Sequence, residues 1–154
     1  MAMHTAYLSL GSNMGDRRQL LERAIKEIEK SIGRIVRQST FYETEPWGFA
    51  SDNMFLNAAV CVETPLCPRC LLQATQRIEY QLGRTDKYAD TGSHAHRNPP
   101  SETRQYHDRP IDIDILLYDD ITVDEPDLKI PHPLMHQRDF VMIPLNEIKA
   151  GRIH

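Results

Sequence analysis

The chain has 154 residues, of which 40% are hydrophobic and 26% charged, with a net charge of −4. That is enough for one folded domain with one substantial core, and a single domain over 1–154 is expected. The acidic balance, with a pI near 5.9, argues against a surface built for a nucleic-acid backbone. No apolar run reaches membrane-spanning length, and the opening MAMHTAYLSLGSN lacks the basic-then-apolar build of a secretion signal. The expected location is cytoplasmic, and the odd set of Cys61, Cys67 and Cys70 reads as reduced thiols.

In chain order, Thr5 to Leu10 alternates as a strand, and GSNMGD then forms a turn with Asp16 as a helix cap. From Arg17 to Ile32, residues Leu21, Ala24, Ile25, Ile28 and Ile32 recur at steps of three and four, predicting an amphipathic helix. Gly33 is expected to close it as a C-terminal glycine. Arg34 to Tyr42 reads as a second strand, ETEPWGFASDN as a loop, and Phe55 to Glu63 as a third strand. Pro65 and Pro68 suit the start of a second helix, whose stripe is Leu71, Leu72, Thr75, Ile78 and Leu82 before Gly83. Cys67-Pro-Arg-Cys70 has zinc or redox spacing, but no second pair accompanies it; packing at the helix start is the reading adopted.

Between Arg84 and Arg109 the aliphatic pattern lapses. Loops of that length inside a compact domain are usually functional lids or disordered. The next strand, RPIDIDILLYDD, carries Ile111, Ile113 and Ile115 on one face and Asp112 and Asp114, then Leu116, on the other. A short return through Asp119 and Asp120 leads into ITV and then to the apolar FVMIPLNEI. Strand-helix-strand-strand-helix-strand is a ferredoxin-like α+β plan, an antiparallel sheet with helices on one face and long loops.

The paired aspartates raise the central question. Two carboxylates one strand repeat apart lie roughly 6.5–7 Å from each other along the backbone, and at an effective dielectric near 20 they repel by about 2.5 kcal/mol. A cation between them removes that cost; a solvent-exposed strand face that happens to be acidic is the alternative. Mg²⁺ takes oxygen ligands, keeps waters and is held by one or two carboxylates plus substrate phosphates. The site is too sparse for Ca²⁺ and too hard for zinc. Arg84 and Arg109 border the long loop, and a cationic lid over a polyphosphate would use both. Lys87, Arg97 and Arg104, with the histidines His94, His96 and His107, read as solvated linker.

Other candidates are weaker alone. Gln76 and Glu79 lie three apart and project from one helical face, a polar pair able to hold an adenine or ribose edge or simply a solvated surface. His132, rigidly placed between Pro131 and Pro133, suits a phosphate hydrogen bond better than a metal centre. Trp47, Phe49, Phe55 and Phe140 are each able to stack on a flat heterocycle or to sit in the core.

Taken together, YLSLGSN, FYETEPWG, FLNAAV, QRIEYQLGR, RPIDIDIL and PHPLMHQRDFV…PL resemble the 6-hydroxymethyl-7,8-dihydropterin pyrophosphokinases, over nearly the whole chain and in the same order. The resemblance implies transfer of the terminal diphosphate of ATP to a pterin alcohol in folate biosynthesis, with two Mg²⁺ ions on a ferredoxin-like fold. By position, it implies that Asp112 and Asp114 hold both metals. Gln76, Glu79, Arg84, Arg109, Ile115, His132 and Arg138 match the nucleotide site, with Arg84 and Arg109 belonging to the loop that completes the catalytic centre. Thr44, Phe55, Asn57 and Phe140 match the pterin pocket, the two aromatics sandwiching the ring while Asn57 and the backbone near Thr44 read its edge. There are departures: Tyr106-His107-Asp108 stands where the family has tryptophan-glycine-proline, Asp86 and Lys87 compete for a basic place, and Glu45 replaces a common proline.

The expected mechanism is in-line attack of the pterin hydroxyl on the β-phosphorus, with AMP leaving. The expected partners are these two small molecules, not nucleic acid or membrane; monomer and weak dimer stay open. A ferredoxin-like RNA-binding module would show a basic sheet with exposed aromatics, where this sheet carries aspartates. A metal-dependent phosphohydrolase would share the carboxylates without needing a planar-ring pocket.

Overall fold

The computed structural model describes residues 3–44, 54–84 and 110–153. The elements run β1 (His4–Ser12), α1 (Arg17–Ser31), β2 (Arg34–Gln38), β3 (Tyr42–Thr44), β4 (Phe55–Thr64), α2 (Pro68–Glu79), a π-helical turn (Tyr80–Arg84), β5 (Asp112–Tyr118), β6 (Val123–Glu125), β7 (Leu128–Ile130) and α3 (Asp139–Ile153). The main sheet has the order β2-β4-β1-β5, with β3 also on β4. Every pairing in it is antiparallel. This is the α+β, ferredoxin-like plan, with β6 and β7 as a separate two-stranded ribbon.

Strand alternation makes two faces. Leu8, Leu10, Ala58, Val60, Val62, Ile111, Ile113 and Ile115 share one core with Leu21, Ala24 and Ile28 of α1 and Leu71, Ala74 and Ile78 of α2. These two helices therefore cover one face, as the periodicity predicted. The helix α1 begins where Asp16 accepts from the Gln19 amide at 3.1 Å, a side-chain N-cap.

Among the described residues, α3 packs on part of the opposite face. Val141 and Leu145 of α3 close over Leu116, and Ile148 over Ala59 and Cys61. The stretch FVMIPLNEI is thus helical and packs across the sheet from α1 and α2. Pro144 lies within α3, and its missing N–H and known helix-breaking tendency are why the sequence pattern leaves this segment unassigned. A register shift of β5 against β1, opposite Tyr7 and Leu8, turns both Leu116 and Leu117 toward α3, and Tyr118 returns to the first core.

Two local expectations are corrected. The second strand is not continuous over 34–42: it breaks into β2 and β3 at Ser39, whose amide donates to Ala59 O and whose hydroxyl accepts from Ala59 N, each at 2.9 Å. Local side-chain pairing thereby replaces a rung of the ladder. The strand also resumes further along than the loop reading allowed, since Glu43 and Thr44 belong to β3. Gly33 follows the C-cap Ile32 and closes α1 as expected in position, its amide donating to Ile28 O at 3.1 Å, but without the left-handed conformation of a closing glycine. Gly33 is needed because a Cβ there would lie 1.9 Å from Glu63 O, so close strand approach selects it.

Candidate active site

The part of the second face that no described helix packs on is polar, and pairing register assembles it. Gly11 of β1 stands opposite Asn57 of β4 and, on its other side, opposite Asp112 of β5. Ser9 likewise stands between Ala59 and Asp114. Directly opposed residues project from the same face, so Asn57, Gly11 and Asp112 form one row across three strands. At the usual strand spacing Asn57 and Asp112 are about 10 Å apart. Gly11 is a site residue that the motif reading passed over; a Cβ on it would lie 3.1 Å from Asn57 Oδ1 and 3.5 Å from Phe55 Cδ1. Its bare backbone keeps the floor of this row open.

On the β4 side, Asn57 is buried. Its Nδ2 donates to Thr44 Oγ1 at 2.7 Å and to Tyr42 O at 3.3 Å. Those bonds orient the amide, and strand pairing sets Phe55 opposite Thr44 beside it. Arg17 binds the surroundings: it donates to Met54 O at 2.9 Å and pairs with Glu43 at 2.8 Å. From α3, Glu147 accepts from the Thr40 amide and hydroxyl, each at 3.0 Å, and from the Tyr42 hydroxyl at 2.7 Å. Although burial opposes it, these bonds lower the pKa of Glu147 and keep it an acceptor.

On the β5 side, Asp112 and Asp114 are both half-buried on the face opposite Ile113. The amide of Ile113, between them, donates to Glu79 Oε2 at 2.7 Å. Glu79 is 6% exposed, whereas Gln76 is exposed. The two are neighbours on α2 but differ in environment: Gln76 lines a shallow depression of about 470 Å³ with Gln73, Arg77 and Tyr80. Ile115 points its side chain into the α1 and α2 core, so only its main chain is available to a ligand on the polar face.

His132 and Arg138 complete the cluster. The His132 amide donates to Leu116 O at 3.1 Å, which seats it beside β5. Its Nδ1 accepts from the Leu134 amide at 3.3 Å, leaving the ring proton on Nε2 and making that edge a donor. Burial, then the Arg138 cation, lowers its pKa to about 4 against the opposing pull of Asp112. Arg138 and Asp112 thus both lie within electrostatic reach of His132. Arg138 is buried, with its guanidinium carbon 5.7 Å from the centre of the half-buried Phe140 ring at the start of α3.

Of the remaining predicted residues, Arg84 ends the π-helical turn, and only its backbone is described. Arg109 lies outside the described residues, as do Glu45, Trp47, Phe49, Asp86, Lys87, His94, His96, Arg97, Arg104, Tyr106, His107 and Asp108. The flanks of that long segment meet: a Cβ on Gly83 would lie 2.5 Å from Pro110 Cβ. The expected helix-start role of Cys67 holds, since it caps α2 through a bond from the Cys70 amide at 3.3 Å.

An antiparallel ferredoxin-like sheet that carries Asn57 and the Asp112 carboxylate in one row of its polar face is the framework of an α+β small-molecule enzyme. Residues 7–150 match the model of the 7,8-dihydro-6-hydroxymethylpterin-pyrophosphokinase family. The 2-amino-4-hydroxy-6-hydroxymethyldihydropteridine pyrophosphokinase of Porphyromonas gingivalis is 48% identical over 147 residues, covering 95% of this chain and 91% of its own. The enzyme of that name from Aquifex aeolicus is 38% identical over 152 residues, covering 99% of this chain and 84% of its own. A crystal structure of a Plasmodium falciparum HPPK-DHPS triple mutant superposes with a TM-score of 0.68 at 18% identity, over 96% of this chain and 40% of that one. The chain belongs to the hydroxymethyl-dihydropterin pyrophosphokinase family, ATP-using diphosphokinases of folate biosynthesis.

Proposed function

We propose that diphosphate transfer from ATP to 6-hydroxymethyl-7,8-dihydropterin takes place over the row Asn57–Gly11–Asp112, in a single-domain cytoplasmic enzyme. The observation that carries this reading is the register that puts the Asn57 amide and the Asp112 carboxylate on one sheet face. A pterin edge bound by Asn57 and Thr44, with its ring against Phe55 and Phe140, would direct its hydroxymethyl arm along the row toward phosphates held at Asp112, Asp114, His132 and Arg138. Gln76, Glu79 and the main chain of Ile115 are assigned to the nucleoside end, and Arg84 and Arg109 to the polyphosphate from the long loop.

The donor set fits Mg²⁺. Asp112 and Asp114 offer oxygen ligands on one face of a strand, and among the described residues no third histidine, cysteine, aspartate or glutamate joins them. An ion held there draws the rest of its shell from water and phosphate, as Mg²⁺ does. When bound, it would neutralise phosphate charge during in-line displacement. The chain's own residues do the rest. His132, kept neutral, donates one hydrogen bond from Nε2; Arg138 supplies a fixed cation; Asn57 and Thr44 set the direction of the attacking hydroxyl. No helix among the described residues is long and apolar enough to cross a membrane.

The test is turnover with ATP, Mg²⁺ and hydroxymethyl-dihydropterin, scored as AMP. AMP release that requires added pterin is expected. Equal AMP release without pterin would instead establish a phosphohydrolase.

A further inference from the structure

We propose that Cys67 and Cys70, away from the substrate face, form a redox-active dithiol that peroxide closes reversibly into a disulfide. The two cysteines occupy the N-cap and third helical positions of α2, and both are free and exposed. The Cys70 amide donates to Cys67 Sγ at 3.3 Å, so the cap turn already brings the backbone of one cysteine against the sulfur of the other. Pro68 between them fixes the first helical φ, which holds this approach in place.

The pair is chemically asymmetric. The Cys70 amide and then the Cys70 thiol lower the pKa of Cys67, while the bond to Cys67 and its charge raise that of Cys70. Such a division suits an attacking thiolate and a resolving thiol. The α2 N-terminus adds a favourable partial positive charge at Cys67. The third cysteine, Cys61, is 2% exposed under Ile148 and serves as an internal unreactive reference.

The reaction balances with hydrogen peroxide as the oxidant. The Cys67 thiolate attacks one peroxide oxygen, forming a sulfenic acid as the O–O bond breaks; the departing hydroxide takes up a proton to give water. Cys70 sulfur then attacks Cys67 sulfur. The S–S bond forms, the S–OH bond breaks, and the Cys70 proton leaves with that hydroxyl as a second water. Two thiols are oxidised by two electrons, and peroxide is reduced to two waters.

The test is peroxide treatment of the reduced full-length protein, followed by mass mapping. The peptide holding both cysteines should lose two hydrogens and regain them with dithiothreitol, while Cys61 stays a thiol. In Cys70→Ser, a sulfenic acid at Cys67 should be trapped by dimedone. In Cys67→Ser, where serine still caps α2, labelling of Cys70 should be about tenfold slower than that of Cys67 in the partner variant. Stepwise oxidation to sulfinic acids with no internal disulfide, or oxidation of Cys61 at the same rate, would overturn the proposal.

Discussion

Ile113 and Glu79 are joined by a 2.7 Å hydrogen bond from the strand amide to the buried carboxylate, and Ile113 is the residue between the two aspartates. The bond anchors β5 to α2 at the point where the carboxylate pair is presented. Glu79→Ala leaves a buried amide without its acceptor, which costs about 1–3 kcal/mol. For a domain of this size the melting temperature should fall by roughly 2–4 °C per kcal/mol, with a loss of turnover. Glu79→Gln retains an acceptor oxygen and should recover most of both. Thermal unfolding and AMP release measured side by side decide the matter; an alanine variant matching the parent in both would remove the anchoring role.

Asp112→Ala and Asp114→Ala should each abolish most of the transfer, by at least about a hundredfold, while circular dichroism and melting stay close to the parent. Both side chains are half-buried on the open part of the sheet, so neither fills the core. Near-parental turnover of both variants at saturating Mg²⁺ would refute the metal assignment.

Gly11→Ala places a methyl carbon 3.1 Å from Asn57 Oδ1, so the amide must give by a few tenths of an ångström against its bond with Thr44. The expected result is a rise of about tenfold in KM for the pterin, corresponding to ~1.4 kcal/mol, with KM for ATP little changed. Steady-state kinetics with each substrate varied would show it. Equal increases for both substrates would mean that Gly11 serves the fold and not the pterin recess.

His132 sets a pH window. Its folded pKa is lowered to about 4, first by burial and then by Arg138, whereas an unfolded histidine titrates near ~6.5. Below that value the unfolded chain takes up a proton that the folded chain refuses. The stability contribution is therefore intact above the unfolded value and is lost as pH falls toward 4, by about 3 kcal/mol in all. In His132→Asn, whose amide oxygen can replace Nδ1 as acceptor for Leu134, the loss between neutral pH and pH 5 should shrink by about 2 kcal/mol. Urea unfolding of the ligand-free protein at the two pH values tests this, and an identical pH dependence in both proteins contradicts it.

The periodic elements were legible in the sequence because their causes are local. The stripe from Leu21 to Ile28, the alternation through Ile111, Asp112, Ile113 and Asp114, and the cap at Asp16 each follow from residues within one turn or one strand. The carboxylate pair and the family segments also stand in the linear text. What the sequence alone left undecided depends on partners far along the chain. Ser39 breaks its strand because it bonds Ala59, and Glu79 turns inward because the Ile113 amide meets it there. The helix α3 forms despite Pro144 because Val141, Leu145 and Ile148 gain burial against the sheet's second face. Above all, the alignment of Asn57, Gly11 and Asp112 across three strands is a matter of register. Register is set by the packing of the whole sheet, because a slip of one residue would exchange its two faces.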